Sequence, residues 1–241
     1  MDAALRCDVE QVGTATVVHF AGELTLGTAI SVRLKLLSCL AEQPDALVVD
    51  LTLLTVVDGT ALSVFTVVAC QASLWPDTPL SLCAPNSATA EMLASGAYGP
   101  LRIFDSVASA LTAEPDHPGP SISEVLLPVG GAARRARHLV TESCLRWDLP
   151  DLVGPANIVA TELVANAITH ARTMIDLSIS LRRYLLVAVR DGSVAHPRLA
   201  VTSSPLEPAT GRGLLLVDRI ARRWGSLPVD GGKVVWAALE R

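Results

Sequence analysis

A proline-rich segment in the middle of the chain constrains the fold more than any other feature. Residues 114–120 read Glu-Pro-Asp-His-Pro-Gly-Pro, with three prolines among seven residues. Proline lacks the amide hydrogen that a helix or inner strand needs, so this segment predicts a linker. The chain of 241 residues is long enough for two domains that each bury a core. We place the domains at residues 1–113 and 125–241, with the linker at 114–124.

The two halves carry opposite net charge. Residues 1–120 hold 4 Lys+Arg and 13 Asp+Glu, a net charge of −9, whereas residues 121–241 hold 15 and 11, a net charge of +4. Domains of opposite sign attract each other, so we expect contact between the halves or with partners of opposite charge. The arginines are scattered without interleaved aromatic residues, which disfavours direct nucleic-acid binding.

Membrane insertion and disulfide chemistry are both disfavoured. The uncharged stretch 59–76 approaches spanning length, but Ser, Thr and Gln side chains interrupt it and no Lys or Arg flanks it. We interpret it as a buried helix. No secretory signal opens the sequence. The five dispersed cysteines lack metal-binding spacing and are typical of buried thiols in a reducing compartment, so we expect a cytoplasmic protein.

Residues 1–113 alternate between strand and helix signals. Runs of apolar and β-branched residues predict strands at 16–20, 46–51, 80–83 and 101–104. Helical signals lie between them, at about 30–41, 58–72 and 87–95, and again after residue 104. The run 46–51 is almost entirely apolar, as in a strand covered on both faces. This order predicts an α/β fold in which helices pack on a mixed sheet.

Residues 125–241 have a different pattern. Two helices are predicted at 132–147 and 155–171, followed by a hairpin of strands at 174–181 and 185–190. A helix at about 213–223 and a strand at 233–239 complete the domain. Because helices precede an antiparallel sheet, we predict an α+β sandwich.

Three polar residues are spaced along one face of the second predicted helix of this half. Glu162, Asn166 and His170 follow one another at intervals of four residues. An amide oxygen can hold Mg²⁺ while a nearby carboxylate orients or deprotonates an attacking hydroxyl, the arrangement that phosphoryl transfer needs. The alternative is a solvated polar face, which is the commoner origin of an isolated pattern of this kind.

Two further elements follow in the order that a nucleotide site would need. Asp191-Gly192 ends a predicted strand, where a buried carboxylate could accept a hydrogen bond from an adenine amino group. Gly211-Arg212-Gly213-Leu214 opens a helix, so its backbone and its arginine could approach phosphates closely. Each element alone is weak, since Asp-Gly is usually a turn. Together they favour a triphosphate pocket.

Residues 126–239 resemble the GHKL (Bergerat-fold) ATP-binding superfamily, specifically the anti-sigma-factor serine kinases of bacterial partner-switching systems. The resemblance is carried by these segments: 162–171, 189–193, 211–217, 224–225 and 231–236. It implies that Asn166 holds Mg²⁺, that Glu162 is the general base and that Asp191 binds adenine. It also implies that His170 and Gly192 lie at the nucleotide, and that Gly211 to Leu214 form a lid on the phosphates.

The sequence departs from this family at three positions. Ser193 and Ala195 stand where the family often has glycine, and Lys233 stands where it usually has threonine. Histidine kinases share the fold, but no helical hairpin with a phosphoacceptor histidine precedes this domain. A fragment of a sensor kinase is therefore the least favoured hypothesis.

Three segments of the first half, 20–24, 47–51 and 57–62, carry a second resemblance. On these segments, residues 5–113 resemble STAS domains, the anti-anti-sigma factors. In phosphorylated members of this family, the serine directly after the aspartate that corresponds to Asp58 is the acceptor. Here that position is Gly59, which has no hydroxyl, and Thr60 is the nearest candidate. We expect no phosphorylation at the usual position, so this switch domain could remain competent to bind a kinase, including the one fused to it.

Two functional hypotheses follow from these resemblances. In the first, the second domain binds Mg·ATP and phosphorylates Ser or Thr of an anti-anti-sigma protein, or sequesters a sigma factor, and the fused STAS domain modulates it. In the second, the chain is a nucleotide-binding interaction protein with little catalysis, whose STAS domain docks on its own kinase domain or on another. Kinases of the resembling class commonly dimerise, so a homodimer is a further expectation.

Overall fold

The structure, a computed structural model, describes residues 5–83, 85–95, 97–99, 101–113, 119–197 and 213–241. The chain divides into two compact units, Met1–Pro118 and Gly119–Arg241, and each is described by itself. The division falls within the predicted linker 114–124. However, a strand of the second unit begins at Ser121, so the end of that linker was wrong. Proline excludes an inner strand but not the start of an edge strand.

The first unit is built on a five-stranded mixed sheet in which the strands follow chain order. The strands are β1 (Arg6–Val12), β2 (Ala15–Leu24), β3 (Ala46–Val56), β4 (Leu80–Cys83) and β5 (Arg102–Phe104). The helices are α1 (Leu26–Ala41), α2 (Ser63–Leu74), α3 (Ser87–Ala94) and α4 (Val107–Thr112), and a 3-10 turn, Gly59–Leu62, precedes α2. Strand β1 pairs antiparallel with β2, and the other pairs are parallel. The predicted α/β fold is confirmed.

Strand β3 is the centre of this unit and is covered on both faces. Val48 packs with Cys83 and with Ala110 of helix α4 on one face. Its neighbours Leu47 and Val49 are fully buried as well, and successive strand residues point to opposite faces. Such double burial explains why the sequence here is a nearly unbroken apolar run.

Two features of the first unit differ from the sequence interpretation. Strand β1 was not predicted, because six of its seven residues are exposed and three of them are charged, as is common for an edge strand. The spacing of Ile30, Leu34, Leu37 and Ala41 predicts helix α1. Leu37 and Ala41 are buried, whereas Ile30 and Leu34 are 66% and 52% exposed. Other apolar residues of α1 form the rest of its buried face.

The cysteines are all free, as predicted, but they are not all buried. Cys39, Cys83 and Cys144 are buried, whereas Cys70 is exposed on α2. Burial raises the pKa of Cys39 to about 11 and that of Cys83 to about 12. These two thiols therefore stay protonated at neutral pH and act as small apolar core side chains.

A histidine and two carboxylates form a cluster across β1, β2 and β3. The ring Nδ1 of His19 lies 2.8 Å from Oδ2 of Asp50, and its Nε2 lies 3.5 Å from Oε2 of Glu10. The hydrogen bond to Asp50 raises the pKa of His19. Burial alone would raise the pKa of Asp50, but hydrogen bonds from Thr52 and His19 hold it below its usual value.

This cluster predicts that the first unit loses stability as the pH rises through the neutral range. The pKa of His19 is higher in the folded than in the unfolded chain, so its stabilisation is complete below about pH 6.5, the ordinary histidine value, and disappears above the raised folded pKa. We expect the difference in unfolding free energy between the wild type and His19→Gln to be larger at pH 5.5 than at pH 8.5. Calorimetry of the intact chain measures it, and a difference independent of pH would contradict it.

The described parts of the second unit, residues 119–197 and 213–241, form three helices and a five-stranded antiparallel sheet. The strands, in the sheet order β6-β7-β8-β10-β9, are β6 (Ser121–Leu126), β7 (Ile175–Leu181), β8 (Leu185–Asp191), β9 (Arg223–Val229) and β10 (Gly232–Leu239). The helices are α5 (Ala132–Arg146), α6 (Val153–Asn166) and α7 (Gly213–Ile220), with a 3-10 turn at Pro150–Leu152 and a π turn at Ala167–Ala171. Helices α5 and α6 share one core with the inner face of the sheet.

The predicted hairpin and the first two helices of this unit are confirmed. Strands β7 and β8 pair antiparallel around Arg182–Tyr184. Strands β6 and β9 were missed, because both lie at the edges of the sheet, and β9 contains Gly225 and Pro228. The last helix ends at Ile220 rather than at residue 223, because residue 223 is already the first residue of β9.

One helical stretch, Pro150–Ala171, is long and apolar enough to cross a membrane by length and composition. Its apolar face belongs to the core of the second unit, where Val159, Leu163 and Val164 are buried against the sheet. The uncharged stretch of the first unit is helix α2 with the turn before it, and Phe65 and Val68 on it are buried. Both observations are typical of core helices.

Candidate functional site

A cavity of about 360 Å³ opens in the second unit between the end of α6, the sheet and the start of α7. Its apolar walls include Leu163, Leu214 and Val235, and its polar lining residues are Asn166, His170, Asp191, His196 and Lys233. Four residues singled out in the sequence, namely Asn166, His170, Asp191 and Leu214, therefore line one cavity.

The end of α6 places two of these residues at the cavity. Asn166 is the last residue of the helix, and the chain continues into a π turn that His170 occupies. The amide of Arg172 closes this turn on the carbonyl of Ala167 at 3.1 Å, and Arg172 adopts a left-handed φ of 57°. Widened turns of this kind are frequent at functional sites.

Asp191 forms a buried ion pair with Lys233. The two residues are opposite each other in the β8–β10 ladder, and Nζ of Lys233 lies 2.8 Å from Oδ1 of Asp191. Both are only 5% exposed. The Asp191 oxygen also accepts from the amide of Ser193 at 2.8 Å, while the Lys233 ammonium donates to the Ser193 carbonyl at 3.1 Å. The pair is thus fixed at the wall of the cavity.

Glycines allow the backbone to approach closely around this pair. A Cβ at Gly232 would lie 1.9 Å from the carbonyl oxygen of Asp191, so only glycine fits beside β8. Gly192 donates its amide to Oγ1 of Thr173 at 2.8 Å, and a Cβ there would lie 2.8 Å from Cγ2 of Thr173. Gly192 therefore fixes the loop after β8 and does not line the cavity.

Glu162 lies one turn before Asn166 and faces the start of α7. A Cβ at Gly213 would lie 2.1 Å from Oε2 of Glu162, so the carboxylate is packed directly against this glycine. The next residue, Leu214, lines the cavity, which places Glu162 at its border. Gly211 and Arg212 lie outside the described residues.

The arrangement gives the cavity a definite chemistry. Its walls are largely apolar, as in most small-molecule sites, with a few convergent polar groups. Oδ2 of Asp191 accepts no hydrogen bond from the residues that the structure describes. Together with the Asn166 amide and the Lys233 ammonium, it can bind a partly apolar ligand that carries both donors and acceptors.

In the first unit, Asp58 caps the helical segment that begins at Gly59. Its Oδ1 accepts from the amide of Thr60 at 2.9 Å and from the Thr60 hydroxyl at 2.6 Å. These hydrogen bonds lower the pKa of Asp58 below its usual value. The exposed Thr60 hydroxyl therefore already donates a hydrogen bond to a charged carboxylate, as in a helix cap.

Gly59 is enclosed by two side chains from α3 and the loop after it. The hydroxyl of Tyr98 donates to the Gly59 carbonyl at 2.8 Å. A Cβ at position 59 would lie 3.3 Å from both Sδ of Met92 and Oη of Tyr98, which is tighter than ordinary van der Waals contact. A side chain at this position would require Tyr98 or Met92 to shift.

Residues 6–110, which run from β1 into α4, match the family described as the STAS domain. The first unit contains a STAS domain. Its boundaries agree with the compact unit found in the structure. Asp58, Gly59 and Thr60 lie inside this domain, at the junction between β3 and the helix that follows.

Three solved structures similar to the STAS domain share low identity with it. An anti-sigma factor antagonist from Mycobacterium paratuberculosis is 23% identical, with a TM-score of 0.40, over 46% of this chain and 93% of that one. A putative anti-sigma factor antagonist from Thermotoga maritima is 15% identical, with a TM-score of 0.38, and the match covers 44% of this chain and 91% of that one. The phosphorylated Bacillus cell fate determinant SpoIIAA is 14% identical, with a TM-score of 0.36, and the match covers 44% of this chain and 96% of that one. No curated protein matches the chain.

Sequence reasoning missed several residues of both sites. Tyr98 reaches Gly59 of the STAS domain from 39 positions away, and no local pattern signals such a contact. In the second unit, Lys233 was noted as a departure but not as a cavity residue. A charged residue at the start of an otherwise apolar strand was the available signal, because a buried lysine requires a partner.

Proposed function

We propose that the second unit binds ATP with Mg²⁺ and that the chain regulates a sigma factor by partner switching. One observation carries the first part: Asn166 and Asp191, which are distant in sequence, line the same cavity. The proposed reaction is transfer of a phosphoryl group to Ser or Thr of a separate anti-anti-sigma protein. The STAS domain supports the assignment to partner switching.

The residues present fit Mg·ATP. The Asn166 amide oxygen is the type of ligand that Mg²⁺ accepts, and Oδ2 of Asp191 can take a hydrogen bond from the adenine amino group. When bound, ATP supplies the phosphoryl group and Mg²⁺ neutralises its charge. His170 lies at the mouth beside Asn166, and the segment Gly211 to Leu214 is the proposed phosphate lid.

Glu162 is the proposed general base. Its carboxylate, held against Gly213, would orient the hydroxyl of the protein substrate and take up its proton. It lies one helical turn from Asn166 on α6. The packing against Gly213 fixes its position relative to the proposed lid.

At the level of the whole chain, we propose a cytoplasmic regulator that binds a sigma factor, an anti-sigma protein or an anti-anti-sigma protein. The opposite net charges of the two halves, −9 and +4, support an intramolecular contact between the STAS domain and the kinase domain. We also propose that the chain forms a homodimer, because the second unit resembles kinases that commonly dimerise.

Calorimetric titration of ATP into the intact chain, with and without Mg²⁺, tests the proposal. We expect Mg²⁺ to strengthen ATP binding in the wild type. Asn166→Ala should lower the affinity for ATP in the presence of Mg²⁺ by about tenfold or more, because the metal loses its protein ligand. Asn157→Ala is the matched control, since Asn157 lies on the same helix and bonds Thr141 instead. Equal Mg²⁺ dependence in Asn166→Ala would refute the assigned role.

A second candidate function is a nucleotide-binding interaction protein with little catalysis. Gly59 favours it, because the usual acceptor hydroxyl is absent and Tyr98 and Met92 crowd that position. The Asp191–Lys233 ion pair favours it too, since it departs from the resembling kinases. Rapid phosphorylation of Thr60 in the intact chain would contradict this alternative.

A further inference from the structure

We propose that Lys233 sets the ligand selectivity of the cavity in the second unit, by making it accept either an amino or an oxo group on a purine base at the Asp191 position. This inference rests on the proposed nucleotide binding and goes beyond it. It states which purine bases the cavity accepts and assigns that selectivity to Lys233.

The first step is the geometry of the pair. Nζ of Lys233 and Oδ1 of Asp191 are 2.8 Å apart, and both residues line the cavity. A donor and an acceptor therefore lie side by side at one wall. A substituent on a bound ring that reaches one of these groups is within a small displacement of the other.

The second step is the hydrogen-bonding capacity that remains. An ammonium group has three N–H donors, and among the described residues two are taken, by Asp191 and by the carbonyl of Ser193. A carboxylate oxygen has two acceptor positions, and Oδ2 of Asp191 uses neither with the described residues. The pair can thus offer a ligand one donor and one acceptor.

The third step is the chemistry of the bases. Adenine carries an amino group at C6, which donates, whereas hypoxanthine and guanine carry an oxygen there, which accepts. A lone carboxylate accepts from the amino group but repels the lone pairs of the oxygen. With Lys233 beside it, the oxo group finds a donor. Both kinds of purine are then accommodated.

Lysine itself is an unusual choice in this chain. The sequence has only two lysines, Lys35 and Lys233, among 19 Lys+Arg residues. Lys35 lies exposed on α1 of the other unit and supplies a matched control.

The test compares the affinity of the intact chain for ATP and inosine triphosphate, which differ in the C6 substituent and in the associated N1 proton. We expect the wild type and Lys35→Met to bind the two with affinities within about fivefold of each other, and Lys233→Met to prefer ATP by about tenfold or more, because the donor for the oxo group is lost. Lys233→Arg retains a donor and should keep the wild-type ratio.

The outcomes separate this inference from the proposed function. A wild type that binds ATP but rejects inosine triphosphate by about fiftyfold or more overturns the role of Lys233 and leaves ATP binding intact. An ATP preference unchanged by Lys233→Met also overturns it. Binding of neither nucleotide to the wild type refutes both. If Lys233→Met does not fold, the ratio of the affinities for ATP and inosine triphosphate, measured in the wild type and in Lys233→Arg, still tests the inference.

Discussion

Replacing Lys233 by methionine will lower the free energy of unfolding of the second unit by about 3–5 kcal/mol. The reason is burial: the Asp191 carboxylate is 5% exposed and would lose its charged partner. Removal of one member of a buried ion pair leaves a charge that neither water nor protein solvates well. Methionine keeps most of the aliphatic volume of lysine, so the change removes the charge and its hydrogen bonds to Asp191 and Ser193 but keeps most of the packing.

Urea unfolding of the intact chain, followed by tryptophan fluorescence, measures this loss. Trp147, Trp224 and Trp236 lie in the second unit and report its transition, whereas the buried Trp75 reports that of the first unit. Lys35→Met, at an exposed position, should change the unfolding free energy by no more than about 0.5 kcal/mol. The double variant Asp191→Leu/Lys233→Met should recover most of the loss, because an apolar pair leaves no buried charge. A loss below about 1 kcal/mol in the single variant would contradict the prediction.

The order of elements in the first unit was predictable because its inner strands are apolar runs separated by polar turns. The segment 46–51 matches the first half of β3, and the helical signal at about 58–72 matches the segment that Asp58 caps. The edge strand β1 was not predictable from hydrophobicity, since edge strands commonly carry exposed charged side chains. Ile30 and Leu34, two of the four residues on the predicted face of α1, are exposed for a related reason: the helix has more apolar residues than the core can cover.

The candidate site was predictable only where local spacing carries the information. Asn166 and His170 are neighbours on one helix and its π turn, so their shared cavity follows from spacing alone. The partnership of Asp191 and Lys233 joins residues 42 positions apart, and it depends on the exact register of β8 and β10. In a hairpin the turn fixes the register, but α7 and β9 lie between β8 and β10, so no turn fixes theirs.

The prediction with the largest expected kinetic effect concerns Glu162. Replacing it by glutamine should slow phosphoryl transfer to an anti-anti-sigma protein by about 10²–10⁴-fold, the usual contribution of a general base. Glutamine has the same shape, so the packing against Gly213 is retained and ATP affinity should stay within about twofold of the wild type. A change in rate without a change in affinity separates proton transfer from binding.

Radiolabelled phosphate transfer from ATP to STAS proteins that carry serine directly after the switch aspartate measures this rate. Glu142→Gln is the matched control, because Glu142 lies on α5 in an exposed ion pair with Arg146. Undiminished transfer by Glu162→Gln would remove the proposed base while leaving ATP binding in place. No transfer by a wild type that binds ATP would favour the non-catalytic alternative. The carboxylate would then be a structural contact of α7, and Glu162→Gln would alter stability but no reaction rate.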